Sequence, residues 1–137
     1  MEMSETPIVT IGLGIVASMA LAIFIAGDYR ISARHARFMY HSISYGAVGY
    51  IQDHEDAQTE SALLQRMYNS LFHERTNLPK EVMEDIKVMK KDFFFSSKES
   101  LKFGVSDKVM KKPDKKFEFF TGDELENIKN ELSDLVE

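Results

Sequence analysis

A mixed α/β fold is predicted for this chain by three observations. Segments of strand character alternate with segments of helix character, the pattern of a sheet covered by helices. A β-branched cluster, Ile8-Val9-Thr10-Ile11, runs into Gly12 and Gly14, and the run then becomes helix-forming through Ala17, Met19, Leu21, Ala22, Ile23 and Phe24. That is a strand, a tight turn and a helix in succession. Finally, Ser96 with Glu99 and Thr121 with Glu124 have capping-box spacing, which marks two further helix starts.

Taken in order, the first strand is expected at about residues 8–12 and a buried helix at about 17–26. Two short strands follow, near 29–32 and 37–41. Residues 42–53, with Ser42, Ser44, Gly46 and Gly49, read as a flexible connection with some strand character. Leu64, Met67, Tyr68 and Leu71 form one stripe of a helix over about 55–75. Pro79 suits the first turn of the next helix, whose apolar face is Val82, Met83, Ile86 and Met89. The Ser96 box opens a short helix that Gly104 closes, and Val105 to Val109 reads as a strand. Lys111-Lys112-Pro113-Asp114-Lys115-Lys116 is a solvated linker. Leu125, Ile128, Leu132 and Leu135 line an acidic amphipathic helix beyond it. The expected organisation is a core over 1–110, a linker at 111–120 and a terminal helix over 121–137, with no internal repeat.

The 137 residues are enough for one domain with a modest core. A net charge of −5 speaks against a nucleic-acid binder, which needs a basic face. The absence of cysteine removes disulfides, thiolate metal sites and a cysteine nucleophile, and fits a cytoplasmic setting. No His/Asp/Glu spacing resembles a metal site, so neither metal nor cofactor is expected. The uncharged run from Ile8 to Gly27 has the length of a membrane span, and Arg30, Arg34 and Arg37 behind it would suit an anchor. Its strand-like start and its two glycines argue against that.

Three residues stand out chemically. Ser18 lies at the strand–glycine–helix junction among small neighbours, where a helix N-terminus offers free N–H groups to a developing oxyanion. The alternative is a packed serine bonded one turn back. His41 ends the apolar run Arg37-Phe38-Met39-Tyr40, which would present its ring to a cleft; the residues alone favour a satisfied core or surface histidine. Asp92 abuts Phe93-Phe94-Phe95 and is either a solvated loop acid or a carboxylate that orients an imidazole. Spacing alone does not join the three.

Together these segments resemble the ClpP family, the proteolytic subunit of the ATP-dependent Clp protease. Gly14-Ile15-Val16-Ala17-Ser18-Met19-Ala20 is similar to the family's Gly-x-Ala-Ala-Ser-Met-Gly motif, and Ala36 to His41 to its Arg-x-Met-x-His strand. Arg66 to Thr76 looks like the end of the long handle helix. Asp92-Phe93-Phe94-Phe95-Ser96-Ser97 resembles the Asp-x-Phe-[Leu/Met]-Ser-Ala motif, and Phe103 to Val109 the Tyr-Gly-Leu-[Ile/Val]-Asp close. The motifs fall in family order. The sequence departs from the family pattern at Ala20, at Ser42-Ile43-Ser44 and at Lys91, which stand where Gly, Gln-Pro and often Arg are usual.

The resemblance implies the C-terminal half of a ClpP/crotonase-like fold, with a handle helix and an additional terminal helix. It implies a serine endopeptidase with Ser18 as nucleophile, His41 as general base, Asp92 as third member and the Met19 N–H as an oxyanion donor. It further implies unfolded polypeptide substrates, assembly into rings, and an AAA+ ATPase or a complementary N-terminal chain as partner. The family's front half, with its glycine-rich second oxyanion donor, has no counterpart in the matched motifs. A phage head-maturation protease fits a divergent, shortened member. The alternatives are a non-catalytic structural subunit and a protein anchored through residues 8–27; an acyl-CoA-binding relative rests on fold analogy alone.

Overall fold

The computed structural model describes residues 1, 3–110 and 122–133. Strand β1 (Val9–Gly12) is followed by β2 (Ile15–Ala17), helix α1 (Met19–Ile25), β3 (Tyr29–Ser32) and β4 (Arg37–Tyr40). The long helix α2 (Ile51–Arg75) and then α3 (Lys80–Met89) precede β5 (Phe93–Ser96), α4 (Ser97–Lys102) and β6 (Lys108–Val109); α5 is Gly122–Ser133. The linker expected over 111–120, Thr121 of the second capping box and Leu135 lie outside the described residues.

The strands form two three-stranded sheets, β1-β3-β6 and β2-β4-β5. β1 pairs in parallel with β3, and β2 with β4, so the chain visits each sheet once per turn and α1 carries it back. This is a mixed α/β fold of the kind a partial ClpP fold gives. β5 returns antiparallel to β4, with Phe38 opposite Phe95 and Tyr40 opposite Phe93. Such a crossover works only if the helix lies close on the first strand. The Thr10 hydroxyl donates to the Phe24 carbonyl at 2.7 Å, and a Cβ on Gly27 would sit 2.6 Å from the Thr10 hydroxyl. Glycine at 27 is therefore a requirement of the close approach.

The core fills the space between the second sheet and the helices. Leu21, Phe24 and Ile25 of α1 meet Phe38 and Tyr40 of β4, Tyr68 and Phe72 of α2, Met83 and Ile86 of α3, and Phe95 of β5. The rings pack in preferred arrangements: Phe38 stacks on Phe95 at 5.3 Å, and Tyr40 stacks on Tyr68 at 5.2 Å while meeting the edge of Phe72 at 4.8 Å. The end of α2 also holds α1. The Arg75 guanidinium donates to the carbonyls of Ile25, Ala26 and Gly27, satisfying acceptors that the helix end leaves open.

Several expected elements are corrected. The helix expected from residue 17 starts at 19, because Ile15–Ala17 pairs with Arg37–Met39. A continuous apolar run has no periodicity to mark that change. No strand forms over 42–50, and α2 begins at 51. The strand expected over 105–109 shortens to Lys108–Val109, and β5, absent from the sequence reading, forms over Phe93–Ser96. On α2 the buried residues are Tyr68 and Phe72, while Leu64 and Met67 are exposed; Met89 of α3 is exposed too. The Ser96–Glu99 capping box forms as expected, and Gly104 follows α4 with a φ of 60°. The uncharged run 8–27 is divided between two strands and a seven-residue helix, and no helix among the described residues is long and apolar enough to cross a membrane.

Candidate active site

Ser18 is the single residue between β2 and α1, and its backbone is strained. With φ 56° and ψ −127° it occupies the left-handed half of conformational space, which costs a non-glycine residue about 1–3 kcal/mol. Four hydrogen bonds hold it there. Its N–H donates to the Met39 carbonyl at 3.1 Å, and its carbonyl accepts from the N–H groups of Leu21 and Ala22. The Tyr68 hydroxyl donates to the same carbonyl at 3.1 Å.

A serine at the start of a helix ordinarily turns its hydroxyl onto the first-turn N–H groups. Ser18 makes no such cap bond. Its Oγ instead lies 2.7 Å from Nε2 of His41. The topology brings the two together: β2 and β4 are parallel neighbours with Ala17 opposite Met39, so Ser18 and His41 both leave the carboxyl ends of adjacent strands. With its proton on Nδ1, the ring accepts from the Ser18 hydroxyl, the relation of a general base to its nucleophile.

The chain on either side of His41 is tied to α2. The Tyr40 hydroxyl donates to Asn69 Oδ1 at 2.6 Å, the Ile43 N–H donates to Gln65 Oε1 at 2.6 Å, and Gln65 Nε2 donates to Asn69 Oδ1 at 2.7 Å. Burial pushes the Tyr40 phenol up to about 12, and the Gln65 side chain draws it back only in part. The Tyr68 phenol is raised further still, by burial and then by its neighbour Tyr40, so both rings stay neutral donors.

Ser18 and His41 open onto a cavity of about 660 Å³, whose wall is largely apolar: Met19, Ala22, Ile43, Leu64, Met67 and Leu71. The apolar stripe Leu64, Met67, Tyr68 and Leu71 read from the sequence lines this cavity. Met19 is the first residue of α1, and its N–H, unlike those of Leu21 and Ala22, has no backbone acceptor among the described residues.

Asp92 is exposed and makes no hydrogen bond to His41. Its position in the ladder is close, since the β4–β5 pairing ends at Tyr40 opposite Phe93 and the next rung would set His41 against Asp92. Ser18 and His41 are therefore brought together, whereas Asp92 is near them in backbone register only and is not bonded to the ring. His35, His54 and His73 are exposed, and among the described residues no group of three or more His, Cys, Asp or Glu is arranged to hold a metal. Sequence reasoning missed Gln65, Tyr68 and Asn69 as parts of this site. The signal was available in their spacing, which places two amides and a phenol on one face of α2.

Residues 1–113 match a family model described as Clp protease. The chain is 32% identical over 112 residues to a protein of Deinococcus radiodurans described as an ATP-dependent Clp protease proteolytic subunit; the alignment covers 80% of this chain and 54% of that protein. The chain spans about half the length of the curated relative it matches.

Proposed function

The chain belongs to the Clp protease family, and from that premise we propose that it is a serine endopeptidase subunit with Ser18 as nucleophile and His41 as general base. One observation carries the reading: the Ser18 hydroxyl is withheld from its helix cap and lies 2.7 Å from the His41 ring, at the mouth of an apolar cavity. Strain at Ser18 supports it, because left-handed backbone at a non-glycine residue persists where the surrounding structure over-determines it, commonly at functional sites.

In this mechanism His41 takes the Ser18 proton as Oγ attacks a peptide carbonyl, and the resulting oxyanion turns toward the Met19 N–H. One such donor contributes about 3 kcal/mol to transition-state stabilisation. His41 then protonates the leaving amine, and water releases the acyl group by the same steps in reverse order. Asp92, unbonded to His41 in this structure, is the residue that would accept from the second ring N–H in the working form, keeping the proton on Nδ1. The apolar wall of Met19, Leu64, Met67 and Leu71 favours an apolar side chain beside the scissile bond. The family resemblance implies unfolded polypeptides as substrates and a ring as the working form, and the description of the Deinococcus relative as an ATP-dependent proteolytic subunit supports an ATPase partner.

A fluorophosphonate probe tests the reading on the intact protein. Labelling should map to Ser18, disappear in Ser18→Ala and fall by orders of magnitude in His41→Ala. A folded, assembled sample that stays unlabelled would reject it in favour of a structural subunit. The free Asp92 carboxylate is the observation that favours that second reading.

A further inference from the structure

The Ser18 carbonyl is held by more than its helix. Leu21 and Ala22 donate to it at 3.0 and 3.2 Å, as the first turn of α1 requires, and the Tyr68 hydroxyl adds a third donor from a different element. Tyr68 lies on α2, fifty residues away in sequence. Its ring is not free to wander: it stacks on Tyr40 at 5.2 Å with 16° between planes and meets Phe72 at 4.9 Å. Tyr40 is fixed in turn by Asn69, the residue after Tyr68. The hydroxyl is therefore delivered to one point by a packed aromatic cluster.

That point matters because a peptide group is planar and trans. The Ser18 carbonyl and the Met19 N–H belong to the same plane and point in opposite directions. A donor that fixes the carbonyl also fixes the direction of the N–H. Ser18 has a ψ of −127°, far from the helical value that would orient this plane by default. The plane thus depends on what bonds to it, and an oxyanion donor contributes fully only when it is aimed before charge develops.

We propose that Tyr68 is a positioning residue of the Ser18 site: by donating to the Ser18 carbonyl it sets the peptide plane that aims the Met19 N–H at the oxyanion. It makes no hydrogen bond to the nucleophile's Oγ or to the His41 ring. The proposal rests on the serine-peptidase reading and adds a residue to it.

Tyr68→Phe removes the hydroxyl and keeps the stack. The second-order rate of fluorophosphonate labelling should fall about fivefold, the factor that the ordinary net contribution of one neutral hydrogen bond corresponds to. With a peptide ester the loss should appear in kcat with KM unchanged, because ground-state binding to the cavity wall is retained. Active-site titration separates positioning from loosening. Under the proposal every folded chain still titrates and each reacts more slowly; a merely structural role leaves fewer titratable sites, each reacting at the parent rate. Should Tyr68→Phe fold poorly, Tyr68→Met supplies the same comparison with a side chain that fills the space without a donor. Equal labelling rates in parent and variant overturn the positioning role alone. A parent protein whose Ser18 never labels overturns both this role and the peptidase reading.

Discussion

The two three-stranded sheets are built from the same turns of chain and do different work. In β1-β3-β6 every pairing is parallel, and the sheet is closed by a charged clamp. Arg30 donates from Nε and Nη2 to both Asp107 oxygens at 2.9 and 2.6 Å, its backbone N–H donates to the same carboxylate, and Nη1 reaches the Arg75 carbonyl. In β2-β4-β5 the anchoring is aromatic, through Phe38, Tyr40 and Phe95, and Ser18 and His41 both leave its strand ends. The difference teaches where chemistry can be placed. A sheet whose loops are tied by charge holds the spiral in register, and a sheet backed by rigid rings fixes two side chains to within hydrogen-bonding distance.

This contrast can be broken at graded cost. The largest effect is expected from His41→Ala, which should remove Ser18 labelling by orders of magnitude while the thermal midpoint hardly moves; a midpoint that falls with the labelling would make His41 structural. Next comes Phe38→Ala, fully buried between Phe24 and Phe95, with an expected loss of about 3–5 kcal/mol in denaturant unfolding. A loss below about 1 kcal/mol would show that the aromatic core is not what holds the second sheet.

Alkaline titration tests the same sheet without mutation. The Tyr40 phenol is raised from 10.0 to about 12, so the folded chain binds its proton more tightly than the unfolded one. That contribution is complete below pH about 10 and is lost as pH rises through about 12. Tyr40→Phe should flatten this limb of the stability curve. For the first sheet, Asp107→Asn should cost about 1–3 kcal/mol by leaving Arg30 half-served, with the per-site labelling rate of Ser18 unchanged. The smallest effect belongs to Ser32, whose buried hydroxyl has no hydrogen-bond partner among the described residues. Ser32→Ala should be neutral or slightly stabilising, since it removes a polar group that burial penalises; a loss above about 1 kcal/mol would mean that the hydroxyl has a partner in solution.

Much of this was legible in local chemistry. Gly12 and Gly14 announced the turn, the Ser96–Glu99 spacing announced a capped helix, and the apolar end of the Arg37–Tyr40 run announced a strand delivering His41. The errors fell where one residue pattern serves two structures. Ile15 to Phe24 is apolar except at Ser18, so strand β2 and helix α1 could not be parted by period. Phe93-Phe94-Phe95 reads as a generic apolar run until Phe38 and Tyr40 are set opposite it.

The sequence by itself determined the α/β class, the Ser96–Glu99 helix start and the family, because those depend on neighbours a few residues apart and on motifs in a given order. Only the tertiary structure decided what Ser18 touches. Its strained backbone, its bond to His41 and its support from Tyr68 join β2, β4 and α2, and no spacing along the chain encodes a contact made across three elements. The same holds for Asp92: a motif names it, but whether its carboxylate turns to His41 depends on packing beyond the last rung of one ladder.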